Sequence, residues 1–219
     1  MTMTRREMLI GGAALMTPPG GGLTAPARTE WLFDNLAVLG GEPVTVTGHP
    51  RLAPGSGGPA VLFDGVHDAL VIDRHPLAGA KTFAFEALFR PDGGAFAQRW
   101  FHLESVDDPA MPAGTGTTRM LFEIRVTPAG WYLDGFMTGP GYKQALMVPD
   151  KVHPLGLWHH VAQTYDGRHY RSFVNGDLQM EVAMPFTAQG PGRCSIGARL
   201  NRVDYFRGAV RMAGFHRLS

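Results

Sequence analysis

An all-β fold built as one large sandwich is the class that the sequence predicts, and three observations predict it. From Trp31 onward, short apolar runs alternate with turn residues, and no helical period is sustained. Glycine and proline number 29 and 17 in 219 residues, as many short strands joined by turns require. Between Trp158 and Met184, two extended runs flank Asp166-Gly167, and Asn175-Gly176 precedes a third. Asp-Gly and Asn-Gly accept the positive φ of tight hairpin turns, so this stretch reads as a three-stranded meander.

The amino terminus reads as a targeting segment. Thr4-Arg5-Arg6-Glu7-Met8-Leu9 resembles the twin-arginine export motif, the run Met8 to Met16 is short and apolar, and Ala25-Pro26-Ala27 offers a small-residue cleavage site. The apolar run is too short to span a bilayer, which takes about 20 residues. Residues 1–27 are therefore expected to be an export signal and linker, and residues 28–219 one domain. The expected location is the periplasm or the exterior.

Each later element follows from its own pattern. Ala60 to Ile72 contains two apolar runs around Asp64-Gly65, read as two strands joined by a turn. Phe83 to Arg90 places Phe83, Phe85, Ala87 and Phe89 on one face and Glu86 and Arg90 on the other, because side chains alternate along a strand. In Gln98 to Ser105, Phe101 and Leu103 read as inward, with Gln98, Trp100, His102 and Glu104 opposite. Arg119 to Val126 directs Met120, Phe122, Ile124 and Val126 to the core and Arg119, Leu121, Glu123 and Arg125 outward. His159 and His160 are adjacent, so they point to opposite faces and cannot share an ion on that strand. The single cysteine, Cys194, sits in a strand-like run and reads as a buried core residue.

Several of these runs carry a family resemblance. Trp158-His159-His160-Val161-Ala162-Gln163-Thr164-Tyr165-Asp166-Gly167 with Val174-Asn175-Gly176 resembles the hairpin signature of laminin-G-like, concanavalin A-like lectin/glucanase domains. Phe63-Asp64-Gly65 with Asp68, Phe83 to Pro91, and Ser195-Ile196-Gly197 with Tyr205 to Val210 are similar to other strands of that family. The resemblance spans roughly residues 30 to 219. It implies a jelly-roll sandwich of two antiparallel sheets, one of whose faces is a concave ligand groove. If the three strands from Phe83, Gln98 and Arg119 lie in that groove, it holds Glu86, Trp100, His102, Glu104, Arg119, Glu123 and Arg125. Asn201, Arg202 and Tyr205 would form its rim.

Such a face has the composition of a sugar site: an aromatic, planar hydrogen-bonding groups and arginine forks that bind carboxylates. The function expected is an exported lectin-like module for an extracellular polysaccharide, with an acidic glycan the suited partner. The alternatives are a polysaccharide lyase or glycoside hydrolase using Glu86, His102 and Glu123 as acid and base, and an adhesion module without a sugar site. The glucanase Glu-x-Asp-x-x-Glu motif is absent. Arg119 to Arg125 is distantly similar to a strand of jelly-roll alginate lyases, with one extra residue. No cofactor is expected. Arg211-Met212 replaces the acidic pair that often holds a structural calcium in such sandwiches, leaving Asp34, Asp64 and Asp68 as oxygen ligands, and calcium needs six or more oxygens. A formal net charge of +1 gives no sign of a nucleic-acid partner, and His-x-His, phosphate-loop, dinucleotide and Gly-x-Ser-x-Gly motifs are missing.

Overall fold

A computed structural model describes residues 28–54, 57–106 and 116–218. The export segment predicted over residues 1–27 lies outside them. Two large antiparallel sheets form a sandwich. Sheet I runs, edge to edge, through Asp177–Ala183, His169–Val174, His159–Tyr165, Phe83–Pro91, Arg207–Arg217, Ala60–Asp64 and Arg51–Ala53, with Arg28–Leu32 also paired to Arg207–Arg217. Sheet II runs through Tyr142–Ala145, Gly130–Gly139, Arg119–Thr127, Ala97–Ser105, Gly192–Ile196, Ala69–Ile72 and Thr45–Thr47. Among the described residues no helix is long and apolar enough to cross a membrane.

The predicted meander is present. Asp166 Oδ1 accepts from the backbone N–H groups of Arg168 and His169 at 2.9 and 2.7 Å, while Gly167 takes φ 99°. At the second turn Asn175 and Gly176 have φ 52° and 89°, the left-handed pair that a two-residue hairpin demands. The two histidines part as alternation requires. His159 is buried edge-on against Trp131, and the exposed His160 bonds Glu86.

Between the sheets lies an aromatic core. Phe85 stacks on Phe122 at 4.2 Å between ring centres, and Phe89 on Trp100 at 4.6 Å. Phe83, Phe101, Trp131, Phe206 and Phe215 are also fully buried. Rings of this size bury about 150–250 Å² each and supply much of the stabilisation of a sandwich without disulfides. Cys194 is buried among them, as expected.

Two sequence expectations fail here, for one reason. Ala97–Ser105 carries a bulge: Phe122 pairs with Phe101, but Glu123 pairs with Arg99. The extra residue is Trp100, so both Trp100 and Phe101 turn inward and the outward position passes to Arg99. Trp100 is therefore a core ring and no sugar platform. Upstream of the bulge Gln98 is also buried, donating to the Gly93 and Ala95 carbonyls at 2.8 Å and accepting from the Arg207 N–H at 3.0 Å.

Candidate functional site

The outer face of sheet II brings together most of the charged residues that alternation directs outward. Glu123 and Asp134 stand opposite each other on neighbouring strands. Arg99 Nε donates to Glu123 Oε1 at 2.7 Å, and Arg125 reaches Glu123 Oε2 at 3.3 Å and Asp134 as well. Burial raises both carboxyls above their ordinary range, against the pull of the two arginines. Arg99 also pairs with Asp204, and its N–H donates to the Asp204 carbonyl at 2.8 Å, which ties the turn before the last strand to this face.

Around this ionic centre lies a shallow cleft of about 270 Å³, lined among others by Arg99, Arg119, Leu121, Glu123, Arg125 and Asp134. Phe136 and the exposed Met147 form its apolar side. Phe136 is half-buried, with the Arg119 guanidinium 5.4 Å above its ring, and Arg119 also donates to the Gly116 carbonyl. Phe96, exposed beyond the cleft, underlies Arg125 at 5.7 Å. The cleft thus offers one accessible ring beside planar donors and carboxylate acceptors, a combination that matches the apolar face and hydroxyl edge of a sugar.

His102 and Glu104 belong to the same side of the sheet yet lie beneath it. His102 is fully buried, and its Nδ1 accepts from the Leu200 N–H at 3.1 Å. Desolvation, reinforced by the nearby Arg199 and Arg119 charges, holds its pKa well below the usual value, so the ring is neutral. Glu104 accepts from the Gly116 N–H at 3.2 Å. Both serve to hold the segments that cover the sheet.

Glu86 does not join this group. Its strand lies in sheet I, so its outward side chain occupies the opposite surface of the sandwich from Glu123. There its two oxygens meet His160 Nε2 and His216 Nε2, each at 3.0 Å. The hydrogen bond from His160, seconded by His216, lowers its pKa to about 2 despite partial burial. Alternation separates in from out, but it carries no information on which sheet a strand enters. The expected acid/base trio of Glu86, His102 and Glu123 therefore does not converge: one is across the molecule, one is sealed in, and one is locked between arginines.

The expected rim also lies elsewhere. Arg202 and Tyr205 line a larger cavity at one end of the sandwich, and Asn201 is exposed on the same turn. That cavity includes Asp64 and Asp68, whose oxygens are engaged. Asp64 Oδ1 accepts from the N–H groups of Val66, His67 and Asp68, and Asp68 binds those of His49 and Asp64. Asp34 bonds Asn35 at 2.9 Å. Among the described residues no group of three His, Cys, Asp or Glu is placed to hold a metal.

Residues that the sequence reading passed over complete the cleft: Arg99, Asp134, Phe136, Met147 and Arg199. The signal for Asp134 and Phe136 is the alternation of Trp131, Leu133 and Met137, which faces them outward. For Arg99 the signal is the doubled aromatic Trp100-Phe101 in an alternating strand, a mark of a bulge.

A family model described as the concanavalin A-like lectin/glucanases superfamily matches residues 64–216. No curated protein matches the chain in sequence. Similar solved structures include domain 4 of an extracellular arabinanase from Geobacillus stearothermophilus in complex with arabinotriose, 16% identical with TM-score 0.61 over 89% of this chain and 94% of that one. The binding domain of Paraclostridial Mosquitocidal Protein 1 is 8% identical with TM-score 0.61, over 87% of this chain and 48% of that one. A botulinum neurotoxin type C structure, whose cell entry depends upon interaction with two ganglioside molecules, is 11% identical with TM-score 0.61, over 87% and 47%. The chain spans about half the length of the two toxin chains. At these identities the likeness is one of fold.

Proposed function

The chain belongs to the concanavalin A-like lectin/glucanases superfamily, and from that premise we propose that it is a carbohydrate-binding module that takes a polysaccharide segment on the outer face of sheet II. The observation that carries this reading is the cleft in which the half-buried Phe136 ring lies beside Arg119, Arg125, Glu123 and Asp134. A ring face and fixed bidentate groups within one shallow groove suit the two faces of a pyranose or furanose unit. Arabinotriose in the arabinanase domain makes a neutral pentose oligomer the first ligand to try, and the arginines favour glycans that also carry carboxylates.

Calorimetric titration with arabino-oligosaccharides and oligogalacturonates tests the reading. Binding is expected, and Phe136→Ala should weaken it at least tenfold, as loss of a stacking platform does. No binding to any glycan, with the fold intact, would favour an adhesion module. The catalytic alternative lacks its converging trio; appearance of reducing ends or unsaturated uronates from a polysaccharide panel would restore it.

Export belongs to the same proposal and rests on Arg5-Arg6 and the apolar run that follows. Replacing both arginines by lysine should retain the full-length chain in the cytoplasm of a bacterial host. Periplasmic recovery of that variant would remove the twin-arginine reading.

A further inference from the structure

The larger cavity at the end of the sandwich has a volume of about 920 Å³, within the range of pockets that enclose organic ligands and far beyond a single ion. It forms where three connections cross between the sheets. The first links Thr45–Thr47 to Arg51–Ala53, the second Ala60–Asp64 to Ala69–Ile72, and the third Gly192–Ile196 to Arg207–Arg217. Four arginines from four separate places line it: Arg51, Arg90, Arg202 and Arg207.

Their partners are unevenly shared. Arg90 holds Asp92 through a fork of two 2.8 Å bonds, so that pair is self-contained. Asp64 and Asp68 give their oxygens chiefly to backbone N–H groups. Arg51, Arg202 and Arg207 have no carboxylate partner among the described residues. The turn that presents Arg202 is held in a costly shape: Arg202 and Asp204 have φ 59° and 56°, and backbone bonds between Arg199, Arg202 and Val203 close the turn. Non-glycine residues in that region cost about 1 kcal/mol or more each and persist only where the surroundings impose them. Asp204 is pinned by Arg99, which leaves Arg202 and Tyr205 projecting to the cavity.

We infer that this end cavity is a second binding site, separate from the sheet face, for a sugar unit bearing an oxyanion, either a uronate carboxylate or a sulfate ester. Three unmatched guanidiniums supply the charge. The Tyr205 phenol and the Asp92 carboxylate, already oriented by Arg90, supply donors and acceptors for ring hydroxyls.

Amide chemical-shift mapping of the whole chain with trigalacturonate, a sulfated tetrasaccharide and inorganic sulfate tests the inference and separates the two sources of the oxyanion. Saturable shifts at His49, His67, Arg202 and Gly208 are expected with at least one saccharide. Its affinity should fall at least tenfold in the double variant Arg51→Gln, Arg202→Asn, in which asparagine tolerates the left-handed turn, and should weaken with added salt. Phe136→Ala should leave the affinity read at these four amides unchanged while weakening binding on the sheet face, so the two sites fail or succeed independently. Shifts confined to the sheet face, an unaffected double variant, or inorganic sulfate binding as tightly as both saccharides would overturn it, as would no saturation by either saccharide.

Discussion

Glu123 and Asp134 face each other across adjacent strands, each buried on the outer side of its sheet, and Arg125 is shared between them. Two carboxyls in one desolvated place are tolerated because Arg99 and Arg125 enclose them. The cleft therefore owes its shape to an ionic cluster whose members cannot be removed singly without cost.

Arg125→Met should destabilise the fold by about 3–5 kcal/mol, because it leaves buried carboxyls without their shared cation. Burial already raises both pKa values, so the folded form holds their protons more tightly than the unfolded chain does. Stability gained from that source is present at low pH and lost as pH rises through the folded values. Chemical denaturation should therefore show the variant's deficit shrinking on acidification, and a deficit that stays constant would exclude the carboxyls as its cause.

Glu86 works with the opposite sign. Its folded pKa is lowered from 4.5 to about 2, first by the His160 hydrogen bond. The stabilisation is fully present above pH 4.5 and is lost as pH falls towards 2. Glu86→Gln should cost about 1 kcal/mol at neutral pH, discounted for its partial exposure. Its thermal midpoint should then fall less between pH 4.5 and pH 2 than that of the parent protein.

Trp100 and Phe136 should separate stability from binding. Trp100→Ala removes a fully buried ring and should cost about 3–5 kcal/mol. Phe136→Ala, at a half-buried position on the face, should shift stability by about 1 kcal/mol while weakening glycan binding at the sheet face at least tenfold. Denaturant curves and titrations on the same two variants check both halves.

Cys194 should resist modification. The thiol is fully buried and burial pushes its pKa up, so little thiolate is exposed to a reagent. Reaction with an aromatic disulfide reagent should be negligible in the native protein and complete in denaturant. Rapid native labelling would mean that Gly192–Ile196 opens locally.

Much of the molecule was legible from neighbouring residues. Phe83, Phe85, Ala87 and Phe89 alternate without interruption, and all four are core residues. Asp166-Gly167 and Asn175-Gly176 mark their turns because few other residues accept those backbone angles. The site was less legible. At Trp100 a bulge exchanged inside for outside, and a period of two cannot survive one inserted residue. Arg202 and Tyr205 were recognisable as a polar turn, but the cavity they line depends on segments more than a hundred residues away, such as Thr47 to Arg51.

The sequence by itself determined the class of fold, the direction of most strand side chains and the parting of His159 from His160, because each follows from local sterics and an alternation of two. Only the tertiary structure decided that Glu86 and Glu123 lie on opposite surfaces, that Arg99 takes the place expected of Trp100, and that Arg51 and Arg90 meet Arg202 and Arg207 at one end. Those outcomes are set by which strands pair and which connections cross between sheets. Such pairings are chosen by burial of the whole aromatic core, a sum over contacts that no single stretch of the chain contains.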